Sequence, residues 1–463
     1  MGNVMALRVV AACACFLALC LGCRVGPDYG GPPAPLLHET WRELPDATVR
    51  DDHRAVAEWW EGFQDPVLDT LIQEAAQNNL DLRQAALRIF EARAARGIVR
   101  GNLFPEVLQD AAYSHIKFPM ADAVDQWSFG LGGSWEIDVF GRLRRLVEAA
   151  DADIAVSVED YRDTMVILLA DVATNYIDAR AFQRRIRISQ ENLETQRRTL
   201  QLTQRRFDAE LTGELDVAQA RANLESTAAG IPNLEAGYRF AVNRLSILLG
   251  TPPGTVDQLM AEPAPIPSPP EEIAIGIPAD LLRRRPDIRR AEREIAAQTA
   301  RIGAAIGEMY PKFSILGSFS LDAQDFSKLF DADAIGASVG PRMQWNILNF
   351  GRLRSNVQVQ DARQQQRVVQ YQKAVLRAAE EVDNALVGYV REKQRSQHLA
   401  EQVKANQRAV ELSEHRYAGG DVDFQRVLDS QRSLLQAEDQ LASTEANVAA
   451  SLVALYRALG GGW

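Results

Sequence analysis

Five histidines, four cysteines and 62 carboxylates are the residues of this chain that could do chemistry. His38, His53, His115, His398 and His415 are scattered, with no HExxH pair and no metal-ligand spacing. Cys13, Cys15, Cys20 and Cys23 all precede the body of the chain. No Walker-type glycine-rich loop is present, so the sequence offers no nucleotide-driven step of its own. The carboxylates fall mainly on long helical patterns, where charge runs form solvated faces. The residues therefore support no enzyme, no cofactor and no metal site.

The one thiol with a chemical role is Cys23. Arg8 precedes an apolar run from Val9 to Leu21, and Gly22-Cys23 follows. A short basic start, an apolar stretch too short to span a bilayer and a small residue describe a secretory signal. The segment resembles a bacterial lipoprotein signal, cut before a cysteine that is then acylated, although Cys20 stands where Leu is usual. Cleavage there leaves Cys23 as the single cysteine, at the first position, so no disulfide forms within the mature chain. Arg24 fits onward transport to the outer membrane. An unmodified secretory signal is the competing reading.

The elements that position the rest are set by composition and repetition. The 463 residues are 46% hydrophobic and 24% charged, with a formal net charge of −11, which argues against nucleic acid as a partner. No apolar run reaches the roughly 20 residues of a membrane helix, which leaves membrane β-strands open. Trp135-Glu-Ile-Asp-Val-Phe-Gly-Arg-Leu-Arg144 recurs as Trp345-Asn-Ile-Leu-Asn-Phe-Gly-Arg-Leu-Arg354, at an offset of 210. That offset holds to Leu249-Gly250 and Leu459-Gly460. Upstream, Phe104-Pro105 matches Tyr310-Pro311 at an offset of 206, so copy two carries four extra residues between Pro311 and Trp345. The reading is a signal at 1–22, an anchor and extended segment at 23–67, and repeats at 68–253 and 277–463. A proline-rich linker at 254–276 separates them.

Each repeat reads as a helix, two strands and two long helices. Trp127, Phe129, Leu131, Trp135 and Ile137 alternate with small or polar residues, as do Phe313, Ile315, Phe319 and Leu321, and Ile335, Val339 and Met343. Strands are expected at 107–118, 126–139, 312–322 and 335–348. Beyond each Gly-Arg the period becomes seven, as in Val158, Met165, Val172, Ala179, Ile186, Leu193, Leu200 and Phe207. Helices packed as coiled coils follow, turning back near Gly213 and Gly419-Gly420. Four strands cannot close a barrel, and open edges are not tolerated in lipid. If these strands span a membrane, several chains share one barrel, and three chains give twelve strands.

Val25-Gly-Pro-Asp-Tyr29 after Cys23, then Trp59-Trp60 with Phe63, Asp65 and Pro66, resemble the start of TolC-like outer-membrane efflux lipoproteins of the NodT type. So does Ile277-Pro-Ala-Asp-Leu-Leu-Arg-Arg-Arg-Pro-Asp-Ile288. The resemblance implies a mainly α homotrimer with a shared twelve-stranded β-barrel in outer-membrane lipid and an α-helical periplasmic tunnel. It also implies a periplasmic adaptor and an inner-membrane efflux pump as partners. Carried over by position, it has Tyr417 donate a hydrogen bond to Asp216 at the tunnel's periplasmic gate, and Asp429 form an acidic ring. Asp421 and Asp423 are further acidic candidates from this sequence alone; solvated turn carboxylates are the bland reading of all of them. The competing function is a periplasmic coiled-coil adaptor or scaffold lipoprotein. A soluble adaptor would need another layer over the strand aromatics, and the chain offers none.

Overall fold

A computed structural model of the chain describes residues 24–33, 49–50, 56–117, 119–120, 122–270, 273–274 and 284–463. Cys23, the signal and residues 277–283 of the second motif lie outside the described residues. Copy one contains α1 (Pro66–Asn78), α2 (Leu80–Gly101), β1 (Glu106–Ile116), β2 (Val124–Ile137), α3 (Arg142–Asp208) and α4 (Glu214–Leu248). Copy two contains α5 (Pro286–Gly307), β3 (Lys312–Ala323), β4 (Ile335–Gln344), α6 (Arg352–Gly419) and α7 (Phe424–Ala458). The fold is mainly helical with one four-stranded sheet, as the periodicities implied. No helix among the described residues is long and apolar enough to cross a membrane. Two spatial units draw on both copies: residues 87–159 and 289–373 with the N-terminal strap form one, and 160–288 and 374–463 with residues up to 86 form the other.

In the first unit the strands run antiparallel in the order β1-β2-β3-β4. Register places Trp127 between Tyr113 and Ala323, and Phe319 between Leu131 and Ala337. Residues directly opposite share a face. One face therefore collects Tyr113, Trp127, Phe129, Leu131, Trp135, Phe313, Ile315, Phe319, Leu321, Val339 and Met343. The other carries Ser128, Gly130, Gly132, Ser134, Ser318, Ser320, Ser338 and Gly340. Aromatic groups mark both ends of the apolar face: Tyr113, Trp127 and Phe326 at one, Trp135 and Trp345 at the other.

The two hairpins are built alike. Glu106 faces Ser134 as Lys312 faces Gln344, and the four extra residues of copy two lie in the longer loop 324–334. The indole of Trp135 donates to the Leu103 carbonyl at 2.9 Å, and that of Trp345 to the Met309 carbonyl at 3.0 Å, the same hook in each copy. β2 stops at Ile137, two residues short of expectation, because Asp138 turns to cap α3, accepting from the backbone of Leu143 and Arg144 at 3.1 and 2.8 Å. β4 stops at Gln344 rather than 348, since Trp345 to Leu348 have no strand beside them.

The strap that follows Cys23 is seated on the start of α3. Val25 donates its N–H to the Phe140 carbonyl at 3.1 Å. Buried Arg145 donates to the carbonyls of Val25 and Gly26 at 3.1 and 3.0 Å and pairs with Asp28 and Glu148, each at 2.9 Å. Its guanidinium holds the exposed Asp28 carboxyl below the usual range. Gly26 has φ +91°, and a Cβ there would come within 2.5 Å of the Gly303 backbone, so the strap admits no side chain at that point.

The second unit has an apolar core around Trp59, Phe63, Leu68, Leu71, Tyr176, Leu245, Leu452 and Tyr456. Pro66 opens α1 and Asp65 caps it, accepting from Val67 and Leu68 at 2.9 and 3.2 Å. Trp59 stacks on Tyr456 with centroids 5.7 Å apart. The Tyr176 hydroxyl donates to Asp65 at 2.7 Å, and burial together with that bond pushes its pKa up. The Trp-Trp and Asp-Pro motif thus packs the core of this unit and caps α1.

Candidate functional site

The turns between the long helices carry the gate candidates. α3 ends in a left-handed residue, Glu210 at φ +59°, and α6 ends in Gly420 at φ +84°. In each turn the chain donates back twice: Glu210 N–H to Phe207 O and Leu211 N–H to Arg206 O, matched by Gly420 to Tyr417 and Asp421 to Arg416. These paired bonds are Schellman caps at equivalent positions. A non-glycine residue in this conformation costs about 1 kcal/mol. Glu210→Gly is expected to raise stability and Gly420→Ala to lower it, each by about 1 kcal/mol. Opposite shifts in the thermal unfolding temperature of the purified protein would check both.

The structure separates some residues that the resemblance had joined. Asp216 stands in the first turn of α4 and accepts a hydrogen bond from the Thr212 hydroxyl of its own turn. A carboxylate there also suits the positive end of the helix. The Tyr417 ring is buried with Ala220, Phe424, Val427 and Leu428. Its hydroxyl has no hydrogen-bond partner among the described residues, so the expected bond to Asp216 is not formed within the chain. Asp421, Asp423 and Asp429 are exposed. Asp423 occupies the N-cap position of α7 without using its side chain as the cap. Asp429 accepts from Gln425 at 3.1 Å.

At the turns themselves the hairpins are joined by Arg206, a residue not singled out from its sequence context. Its Nη1 donates to the carbonyls of Tyr417 and Ala418 at 2.5 and 3.1 Å, and its guanidinium lies over the Tyr417 ring, 4.6 Å from the centroid. A cation on the last carbonyls of a helix is favoured by the dipole. The available signal was its alignment, at the offset of 210, with Arg416 in the last turn of α6.

Above the tips, the seam between helices turns polar. Ser189, Asn192, Gln196, Thr199 and Thr203 of α3, spaced by threes and fours, are buried, whereas Leu193 and Leu200 are only half-buried and Phe207 is exposed. The apolar sevens thus leave the buried side in this half. Buried Gln431 of α7 donates to Thr199 and to Glu414, both at 2.8 Å, and Arg432 donates to Asn223 at 2.9 Å. Arg185 forms a two-pronged pair with Asp439 at 2.7 and 3.0 Å. Among the described residues no His, Cys, Asp and Glu group could hold a metal ion.

A family model described as outer membrane efflux protein matches residues 71–251 and again 277–461. Nodulation protein T of Rhizobium leguminosarum bv. trifolii is 32% identical over 453 residues, covering 97% of this chain and 96% of that protein. The antibiotic efflux pump outer membrane protein ArpC of Pseudomonas putida is 32% identical over 454 residues, covering 96% and 93%. The solved outer-membrane channel OprN matches with a TM-score of 0.86 at 35% identity, covering 95% of this chain and all of that one. Matched twice by one family model and nearly end to end by its relatives, the chain belongs to the outer membrane efflux protein family.

Proposed function

We propose that this chain is the outer-membrane channel of a tripartite efflux system, a passive exit duct for small molecules. Three copies share one twelve-stranded barrel, dock to a periplasmic adaptor and through it receive cargo from an inner-membrane pump. The sheet carries this reading. Its apolar face is exposed or half-exposed, its opposite face is mostly small and polar, and β1 and β4 leave free edges on either side. Lipid accepts the first face, water the second, and neither tolerates the open edges. Cys23 as a lipid anchor fits the strap, which leaves Arg24 beside the end of β2.

The hairpin turns form the periplasmic mouth, with Asp421, Asp423 and Asp429 as its acidic ring and the hold of Arg206 on the end of α6 and the Tyr417 ring closing it. Three carboxylates of one kind facing a narrow pore attract cations and repel anions. Particles of the purified protein in detergent are expected to hold three chains of 51.3 kDa less the signal, with acyl groups on Cys23, and to conduct in planar bilayers. Asp429→Ala with Asp421→Asn is expected to lower the cation-to-anion permeability ratio severalfold. Monomeric, non-conducting particles would remove the channel reading; unchanged selectivity in folded trimers would move the ring elsewhere.

A further inference from the structure

The proline-rich linker forms one wall of a cleft in the second unit. Its entry is pinned to the helices. Arg180 donates to the Glu262 carbonyl at 2.7 Å, and Gln183 and Tyr238 donate to the Met260 carbonyl at 2.8 and 3.0 Å. Further on, Ile266 and Pro267 are buried and seat the segment. Between this fixed wall and the helices α3, α6 and α7 lies a cleft of about 560 Å³, a size that holds a small organic molecule.

The two sides of the cleft differ in chemistry. The linker side offers proline rings, and a proline has no N–H to donate. The helix side offers Arg184 and Arg187 of α3, Lys393 of α6 and Glu445 of α7, three cations against one carboxylate. The packing around Glu445 raises its pKa, and the charge of Arg184 opposes that rise. Arg187 and Lys393 have no carboxylate within ion-pair distance among the described residues, and Lys393 lies over the Tyr389 ring, 5.7 Å from its centroid. Arg185, the residue between the two arginine positions, is by contrast committed to Asp439. The cations are not a product of the repeat. At the offset of 210, Arg184 and Arg187 match Gln394 and Gln397, and Lys393 matches Gln183. Each copy is basic where the other is neutral, and both bring their cations to this one cleft.

We infer that this cleft binds a small dianion with an apolar body, a dicarboxylate or a phosphate monoester. A cleft lined by an excess of one charge concentrates ions of the opposite charge. Arginine presents paired N–H groups that match a carboxylate or a phosphate, and lysine adds a point charge on a flexible stem. The proline rings receive the apolar body. The wall needs no rearrangement, because the bonds to Met260 and Glu262 already hold it, and a preformed wall lowers the ordering cost of binding. Roughly 30 Å of helix separates Arg187 from the end of α3 at Asp208, so the site is distinct from the turns. Binding here goes beyond the channel reading and does not depend on it.

Titration calorimetry on the purified full-length protein in detergent tests the site with three probes: phthalate, phenyl phosphate and the neutral benzamide. Saturable binding of an anion at one site per chain is expected, with benzamide roughly tenfold weaker or worse. Phthalate alone assigns dicarboxylates, phenyl phosphate alone assigns phosphate monoesters, and both assign the shared dianion. Arg187→Gln with Lys393→Gln is expected to weaken binding roughly tenfold or more, and added salt to weaken it in the wild type. Ala264→Trp keeps every cation and fills the cleft, and it is expected to weaken binding as well. Arg205→Gln with Lys404→Gln removes exposed cations outside the lining and is expected to change nothing. Variants are compared at an unfolding temperature matching the wild type, and Ala264→Trp remains as the probe should the double variant fail to fold. Binding of neither anion, benzamide bound as tightly as the anions, or anion binding left intact by both Ala264→Trp and the Arg187 and Lys393 pair overturns the site.

Discussion

Arg145→Ala is expected to unseat the N-terminal strap and to reduce assembled protein in the outer membrane severalfold. Arg145 is 1% exposed and spends its donors on two strap carbonyls and two carboxylates. Removing it leaves the carbonyls of Val25 and Gly26 without their charged donor, a loss of roughly 3 kcal/mol in seating. Arg145→Lys keeps the charge but not the fork, and recovers only part. The site is single per chain, because copy two has Ser355 at the matching position. Protease cleavage within residues 24–33 reports the strap directly, alongside the amount in the membrane fraction. A strap as protected in the variant as in the wild type would refute the assignment. The same contact predicts a pH dependence. Asp28 has a folded pKa below its unfolded value, so its contribution is complete above the ordinary carboxylate range and is lost as pH falls through the depressed value. Acid therefore loosens the strap.

Arg206→Ala is expected to open the mouth. Two charge-assisted bonds and the ring contact tie the end of α3 to the end of α6. Their loss shifts the balance by about 1.5–3 kcal/mol, roughly ten- to a hundredfold toward the open form. Single-channel conductance in a planar bilayer is the measurement, and mean open conductance is expected to rise. Tyr417→Phe is the internal control. Its hydroxyl has no partner among the described residues, so conductance stays near the wild-type value. An effect of Tyr417→Phe exceeding that of Arg206→Ala would assign the closure to a contact between copies instead.

Much of the fold is legible in the sequence, for identifiable reasons. A period of two with aromatics on one face is what a half-lipid, half-water sheet requires, and Trp127, Trp135 and Phe319 stand where that rule puts them. The repeat at 210 and 206 residues survives in the structure as two hairpins of one register. Arg145 and Arg206 are illegible because both lie in charged stretches of long helices, where a solvated arginine and one held by partners look alike. Their roles are decided by what lies opposite: Gly303 and the strap for Arg145, the carbonyls at the end of α6 for Arg206. The polar seam was hidden by neighbouring apolar residues. Leu193 and Leu200 continue the sevens, yet Asn192 and Thr199 take inner positions, since across the seam Glu438 accepts from Asn192 and Gln431 donates to Thr199. The alternation carries the strand pattern through Asp138, whereas its side chain caps α3.

The pairing of β2 with β3 bears on the order in which the chain acquires its structure. Trp127 and Ala323 are strand neighbours, yet α3 and α4 stand between them in the chain. Bringing such distant segments together carries a large loop-closure cost before any ladder bond is formed. Each hairpin closes across a short loop, 117–123 or 324–334, and faces no such delay. The helices likewise form from local contacts. The two hairpins and the long helices are therefore expected to form first, as two separate ribbons, each with two unsatisfied borders. Joining β2 to β3 and joining β4 to a second molecule are then the same kind of event, one unimolecular and one dependent on concentration. Dilution during refolding into detergent slows only the second, leaving four-stranded chains that await partners.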